Sequence, residues 1–235
     1  ALARVKSGGS RLVCFAPTVG VARNLVREGV DALIIEGHEA GGHVGPVSTA
    51  VLAEQILPTI QEVPVFVAGG IGSGVMMLHY LLMGAAGVQL GTRFAVAEES
   101  PAHPNFKQAM VKASARAAQP TAQYDPRIPV IPVRALQNQG TRDFNTLQLG
   151  LVAQLERRQI GAGEAGRQLE EFWIGALRKA VVEGDVERGS LMAGQSVGLV
   201  REVLPVRGIV ERLLDEAAAE AEKILARLRP APGSS

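Results

Sequence analysis

Short apolar runs alternate with stretches of helical spacing between residues 11 and 94, and this alternation restricts the fold more than any other feature of the sequence. The apolar runs cover residues 11–16, 32–36, 64–70 and 87–94, and helical spacing occupies residues 19–28, 49–61 and 75–83 between them. Strands that are apolar almost throughout and alternate with helices are typical of right-handed βαβ units around a parallel sheet. The sequence therefore predicts an α/β protein whose parallel sheet is buried on both faces.

Charge and composition exclude several classes of function. The 235 residues carry 24 Lys and Arg against 23 Asp and Glu, and this balance gives no electrostatic reason to expect a nucleic-acid or membrane partner. The single cysteine, Cys14, excludes an intrachain disulfide framework and a cysteine-rich metal site, so no metal is expected. Without a secretory signal or an apolar run of about 18 residues, the expected compartment is the cytoplasm.

The second apolar run leads into EGHEAGGHVG, at the strand end where parallel α/β folds place their active sites. Gly41 and Gly42 let the backbone approach a flat ligand closely. His43 follows them and is the candidate general acid or base, because an imidazole exchanges a proton near neutral pH. His38 is expected to orient the loop or to face solvent. A flexible loop with two solvated histidines is the alternative interpretation.

The third run ends in AGGI, residues 68–71, and leads into a helix. Gly69 and Gly70 provide free backbone N–H groups beside a helix N-terminus, a combination that binds anions. A tight turn without any ligand is the alternative, since short connections between strand and helix often require glycine.

The fourth run ends in QLGTR, which offers a second group of donors. Gly91 and Thr92 supply an N–H group and a hydroxyl to a phosphate, and Arg93 is expected to supply a positive charge. Gln89 lies two residues before Gly91 on the same face of the strand, so its side chain is expected to contact a ring or ribityl chain.

Phosphate-binding loops on two consecutive strands are typical of a (β/α)8 TIM barrel, which forms this grip after strands 7 and 8. If residues 65–70 and 88–92 are those two strands, residues 12–16 and 33–36 are strands 5 and 6. We therefore expect this chain to carry the second half of a barrel, strands 5–8. Because whole barrels have roughly 250 residues, about 100 further residues are expected upstream in the native protein.

Helical periodicity dominates beyond about residue 100. Helices are predicted over residues 104–116, 145–158, 164–182 and 208–228, and four prolines between residues 119 and 135 predict loop or extended chain there. The predicted organisation is a half-barrel at 1–115, a loop and helical region that packs on it at 116–229, and a disordered tail at 230–235.

Three segments, EGHEAGGHVG, VFVAGGIGSG and GVQLGTRF, resemble in order and spacing the nitronate monooxygenase (2-nitropropane dioxygenase) family of FMN-dependent barrels. The resemblance covers roughly residues 10–215 and extends to a close relative, the flavin-dependent enoyl-acyl-carrier-protein reductase. It implies that His43 is the catalytic residue and that FMN is bound by Gly41, Gly42, Gly69, Gly70, Gln89, Gly91 and Thr92.

The activity that this resemblance implies is the oxidation of alkyl nitronates with O2 on FMN. Later segments, SLMAGQSVGLV and VRALQNQGTRDF, are at least as similar to the reductase branch, in which NAD(P)H reduces FMN and an enoyl thioester is the substrate. Two other interpretations stay open, a phosphate-binding barrel enzyme without flavin and a non-catalytic fragment. The expected partner is a small-molecule substrate, and a homodimer is compatible with the sequence.

Overall fold

The computed structural model describes residues 2–228, with side chains described from residue 4 onward. The strands are β1 Val13–Phe15, β2 Ala32–Glu36, β3 Gly42–His43, β4 Val65–Ala68, β5 Gly87–Gln89, β6 Ala118–Pro120 and β7 Val133–Leu136. The helices are α1 Leu2–Lys6, α2 Val19–Arg27, α3 Thr49–Ile56, α4 Gly74–Leu82, α5 Thr92–Ala95, α6 Pro104–Lys112, α7 Gln139–Glu156, α8 Ala162–Val181 and α9 Val206–Leu228. Short 3₁₀ helices occupy Ala115–Ala117 and Gln195–Leu199.

The predicted parallel sheet is present, and its strand order is β1-β2-β4-β5. The register pairs Cys14 with Leu33, Ile35 with Val67, and Ala68 with Gln89. Helices α2, α3 and α4 connect successive strands of this sheet, as expected for βαβ units. The α/β fold inferred from the apolar runs is therefore confirmed.

Only one face of the parallel sheet is fully covered, so the expectation of two buried faces is wrong for the described residues. Leu33, Ile35 and Val67 are completely buried in the core that α2, α3 and α4 cover. The alternate residues point to the opposite face, because successive side chains of a strand alternate. There, Val13 and Phe15 are 50% and 52% exposed. The four strands form an open sheet with β1 and β5 at its edges.

A second, antiparallel sheet of order β3-β7-β6 is the element that the sequence did not reveal. The stretch between residues 119 and 135, predicted as loop or extended chain, in fact contributes β6 and β7 at its two ends. Pro120 ends the edge strand β6, a position where the missing N–H costs no ladder bond. On the other edge, His43 pairs with Val133, so the candidate base lies on a short strand rather than in a free loop.

The C-terminal helices occur close to where periodicity predicts them. Helix α7 begins before the predicted boundary of 145, because Asn138 and Thr141 form a reciprocal capping box at its start. Helices α7 and α8 pack through Phe144 and Trp173, whose ring centroids are 4.3 Å apart. Helix α9 packs on α4 and buries Leu213. Within the described part of the chain, no helix has the length and apolarity that crossing a membrane requires. The predicted tail at 230–235 lies outside the described residues.

Candidate active site

A cavity of about 280 Å³ lies at the carboxyl end of the parallel sheet, on the face that α2, α3 and α4 do not cover. Glu36, Ala68 and Gln89, the last residues of β2, β4 and β5, line it from this face. The cavity brings together all the predicted cofactor-binding residues, namely Gly41, Gly42, Gly69, Gly70, Gln89, Gly91 and Thr92. His43 is not among the lining residues, although its neighbour Gly42 is.

The glycines around the cavity serve two different physical purposes. Gly42, Gly69 and Gly70 have φ angles of +77°, +96° and +73°, in the left-handed region that other residues rarely adopt. Gly41 is required for close packing instead, because a Cβ there would lie 2.5 Å from the carbonyl carbon of Ala193. Gly41 thus holds the loop after β2 against the segment before the second 3₁₀ helix, a role that the sequence analysis did not foresee.

Gly91 has neither of these constraints. Its φ of −86° is available to every residue, and a Cβ at this position would meet no atom within 4 Å. Because Gly91 lines the cavity, the missing side chain keeps space open that the fold itself does not need.

Free backbone amides line the cavity on the two loops. The N–H groups of Gly70, Ile71 and Gly91 donate to no acceptor among the described residues. Thr92 Oγ1 accepts a hydrogen bond from the Gly194 amide at 2.9 Å, which leaves its own O–H free to donate. Successive free N–H groups of this kind bind anions in other proteins, and we refer to these neutral donors as the anion cradle.

Arg93 does not contribute the positive charge that was expected of it at the cradle. Its side chain is buried away from the cavity, and its Nη1 donates to the carbonyl oxygen of Glu202 at 3.0 Å. The reason lies in helix geometry, because Thr92 begins α5 and consecutive residues of a helix point about 100° apart. Thr92 therefore reaches the cavity while Arg93 points elsewhere.

His43 directly follows the cavity-lining Gly42 and pairs with a residue that sequence analysis missed. Its Nε2 is 3.5 Å from Oε2 of Glu170 on α8, and both side chains are nearly half exposed. No local signal could have found Glu170, since the contact joins residues far apart in the chain. His38 behaves as expected of a loop-orienting residue, because its Nδ1 is 2.8 Å from the carbonyl oxygen of Gly45.

Glu36 is the second residue that the sequence analysis passed over as a chemical group. Its carboxyl group lines the cavity at the end of β2, and burial raises its pKa from the ordinary value of 4.5, while the charge of His43 opposes that shift. Its position as the last residue of a buried strand was the available signal, because such ends carry catalytic groups in parallel α/β folds. Glu36 is thus a titratable group that lines the cavity, and His43 lies close enough for its charge to act on it.

The pKa shift of Glu36 predicts how stability depends on pH. A folded-state pKa above the unfolded value stabilises the fold at low pH, and this contribution is lost as pH rises from 4.5 through the folded-state pKa. We therefore expect Glu36→Gln to be more stable than the parent chain above this window. Urea unfolding between pH 4 and 8 measures the free energy of unfolding of both proteins. Glu54→Gln is the control, because Glu54 is exposed. If the free energy of unfolding depends on pH in the same way in the parent and in Glu36→Gln, the raised pKa of Glu36 is contradicted.

Glu39 and Thr49 explain how the Gly69–Gly70 turn is held. The Oε2 atom of Glu39 accepts hydrogen bonds from the amide and the hydroxyl of Thr49, at 2.9 and 2.8 Å. Thr49 Oγ1 also lies 3.1 Å from the carbonyl oxygen of Gly69. A Cβ on Gly70 would be 2.8 Å from the Cβ of Glu39, so a side chain there would displace this support.

The fold and the cavity define an α/β protein with an anion cradle at the carboxyl ends of its parallel strands. The nitronate monooxygenase family model matches residues 1–216. This chain therefore belongs to the nitronate monooxygenase family, a family of oxidoreductases, and the recognition from the three strand-end segments is confirmed.

Three similar proteins define the relationship further. FabK from Thermotoga maritima superimposes with a TM-score of 0.81 at 37% identity, over 96% of this chain and 66% of FabK. Nitroalkane oxidase from Streptomyces ansochromogenes gives a TM-score of 0.72 at 28% identity, over 95% of this chain and 62% of the oxidase. A Rhodococcus jostii protein named (3aS,4S,5R,7aS)-5-hydroxy-7a-methyl-1-oxo-octahydro-1H-indene-4-carboxyl-CoA dehydrogenase is 28% identical, over 92% of this chain and 67% of that protein. The chain thus spans about two thirds of the length of these proteins.

Proposed function

We propose that this chain carries the FMN phosphate site of a flavin-dependent oxidoreductase. The observation that carries the proposal is the set of free amides on Gly70, Ile71 and Gly91, which face one cavity from two consecutive strand ends. A phosphate monoester suits these donors, because backbone N–H groups around a concave turn bind such anions without a cationic side chain. The side chain of Gln89 is exposed, lines the same cavity and has no hydrogen bond among the described residues, which supports a contact with the ring or ribityl chain.

The chemistry of electron transfer belongs to FMN when it is bound, and the protein positions it and manages protons. Gly41 and Gly42 line the cavity, and because they have no side chains the backbone of the loop after β2 can approach a flat ring closely. His43 takes or gives a proton at an imidazole nitrogen. Glu170 on α8 orients this imidazole, since its Oε2 is 3.5 Å from Nε2 of His43. Glu36 lines the same cavity, and burial raises the pKa of its carboxyl group.

The substrate that we propose first is an alkyl nitronate, which is oxidised with O2. Family membership and the 28% identity with nitroalkane oxidase support this choice. In this reaction His43 removes the acidic α-proton of a neutral nitroalkane or holds the nitronate anion in place. A protonated imidazole beside the cavity also stabilises the negative charge of the nitronate.

A specific observation favours a second candidate, the NAD(P)H-dependent reduction of an enoyl thioester. The likeness to FabK is higher in both identity and TM-score than the likeness to nitroalkane oxidase. The Rhodococcus relative is named for a carboxyl-CoA substrate, which is also a thioester. In this reaction His43 supplies a proton to the substrate, and the same cavity residues serve.

We also infer that β1, β2, β4 and β5 correspond to strands 5–8 of a (β/α)8 barrel. The exposed Val13 and Phe15 and the unpaired edges of β1 and β5 support this correspondence, because an apolar open sheet face is unfavourable in water. The cavity at the carboxyl strand ends fits the same arrangement. A crystal structure of the natural gene product checks it.

Flavin spectroscopy tests the function and separates the two substrates. We expect the purified protein to bind FMN and to show flavin absorbance between about 350 and 500 nm. Under anaerobic conditions, a nitronate should bleach this absorbance if nitronate oxidation is the reaction. Bleaching by NADH, followed by recovery on addition of an enoyl thioester, supports the reductase. A well-folded protein that binds no FMN rejects the flavin proposal.

A further inference from the structure

A second, smaller cavity lies behind the anion cradle, and we call it the arginine cavity. It is lined by Gly72 of the loop after β4 and by the side chains of Arg93, Arg201, Arg212 and Glu216. The 3₁₀ helix Gln195–Leu199 separates the two cavities, because its Ser196 lines the first and its Leu199 lines the second. The proposed function uses none of these charged side chains.

Arg93 is a buried cation without a carboxylate partner. The residue is only 7% exposed, and its single described hydrogen bond joins Nη1 to the carbonyl oxygen of Glu202. Among the side chains described from residue 4 to 228, no carboxylate oxygen lies within 4.0 Å of its guanidinium. A guanidinium has five N–H donors, and a buried charge is costly unless it is paired and hydrogen-bonded.

Arg134, the other buried arginine among the described residues, shows that unpaired guanidinium donors are not a general feature of this fold. Arg134 is 1% exposed and also lacks a described carboxylate partner within 4.0 Å. Its guanidinium donates to the carbonyl oxygens of both His38 and Ala118, and it uses Nε, Nη1 and Nη2 to do so. Arg134 thus has protein acceptors for all three nitrogens, whereas Arg93, which lines the arginine cavity, has a described acceptor for Nη1 alone.

The carboxylates near Arg93 are already engaged. Oε1 of Glu202 pairs with Nη2 of Arg212 at 2.9 Å, and Oε2 of Glu216 accepts the Gly74 amide at 2.7 Å. Arg201 is exposed and has no carboxylate within 4.0 Å in the described part of the chain. The three guanidinium groups therefore have two neighbouring carboxylates, Glu202 and Glu216, and the described cluster has an excess of positive charge.

The electrostatic state of Arg93 agrees with this count. Burial lowers the pKa of its guanidinium, the charge of Arg212 lowers it further, and Glu202 raises it only in part. An added anion would stabilise the cluster, because it would supply the missing acceptors and the missing negative charge at once.

We propose that the arginine cavity binds a phosphate-type oxyanion, held by Arg93, Arg201 and Arg212. Guanidinium groups match the oxygens of phosphate in a bidentate way, and three of them around one small cavity suit a tetrahedral dianion. The source is either free inorganic phosphate or a phosphate group of a coenzyme A substrate. Only the coenzyme A source rests on the proposed thioester reaction, and the site itself does not depend on that reaction.

Thermal unfolding with inorganic phosphate tests the site, with chloride at equal ionic strength as the reference. At a phosphate concentration ten times the Kd, the Tm should rise by about 3–6 °C for a chain of this size. Each measurement is made with and without saturating FMN, because the cradle at Gly70 and Gly91 also accepts phosphate. A rise that persists with FMN belongs to the arginine cavity.

Variants locate the site independently of FMN. Arg212→Gln should remove the FMN-independent rise, whereas Arg207→Gln should keep it. Arg207 is the matched control, since it lies on the same helix and pairs with Glu211 without lining the cavity. Arg93→Met should also remove the rise, and if this variant fails to fold, Arg201→Gln serves as the second test. An equal phosphate effect in Arg212→Gln and Arg207→Gln, or no effect in the parent chain, overturns the proposal.

The same experiment distinguishes the two sources. Coenzyme A that raises the Tm in place of phosphate, while dephospho-coenzyme A does so much less, identifies the 3′-phosphate of the coenzyme as the bound group. A response to inorganic phosphate alone identifies the free ion. Either response supports the site, and failure to bind FMN in the spectroscopic test leaves it unaffected.

Discussion

Replacing His43 with alanine should slow turnover of a neutral nitroalkane by roughly two to four orders of magnitude, which is the usual contribution of a positioned acid or base. The imidazole is the proton-exchanging group closest in sequence to the cavity-lining Gly41–Gly42 pair, and its charge acts on Glu36 inside the cavity. A nitronate that is already deprotonated needs no base, so the variant should lose much less activity on that substrate. Steady-state kinetics of both substrates, with FMN titrated by fluorescence, measures the difference.

Two controls make this result specific. His79→Ala removes an exposed histidine on α4, outside the cavity lining, and should leave both rates unchanged. FMN affinity should also be unchanged in His43→Ala, because His43 does not line the cavity. Equal rates for parent and His43→Ala on both substrates would remove His43 from the mechanism and leave Glu36 as the titratable group within reach.

The parallel sheet is predictable from the sequence because its physics is local. Residues 32–35 and Val65–Ala68 are apolar without interruption, and such runs between helical stretches predict parallel strands before any contact is known. The glycines at the strand ends are equally visible, since Gly69 and Gly70 occupy backbone conformations that the sequence must provide for. Their convergence on one cavity then follows from the parallel arrangement.

The rest of the site depends on contacts between distant residues. The strand that contains His43 is only two residues long and is fixed by pairing with β7, so no local periodicity reveals it. The contact of His43 with Glu170 requires the packing of α8, which sequence spacing does not determine. Arg93 is the clearest case, because its neighbour Thr92 faces the cradle while a helix start turns Arg93 towards Glu202.

The second large effect is expected at Gly91, where the requirement of the ligand is separable from the requirement of the fold. Gly91→Leu should weaken FMN binding by about tenfold to a hundredfold, because overfilling a packed site costs roughly 1–3 kcal/mol. Without FMN, the free energy of unfolding should be unchanged or higher by up to about 1 kcal/mol, since the φ of −86° suits any residue and a glycine lost reduces the entropy of the unfolded chain. Fluorescence titration of FMN and urea unfolding measure the two quantities.

Gly70→Ala and Gly150→Leu complete the comparison. Gly70 has a φ of +73° and lies against Glu39, so its substitution should lower both FMN affinity and stability, the latter by at least about 1–2 kcal/mol. Gly150 on α7 has open space like Gly91 but lies outside the cavity, and its substitution should leave FMN affinity unchanged. If Gly91→Leu binds FMN as tightly as Gly150→Leu does, the open space at Gly91 does not serve the cofactor. The proposal that the anion cradle binds the FMN phosphate must then be abandoned.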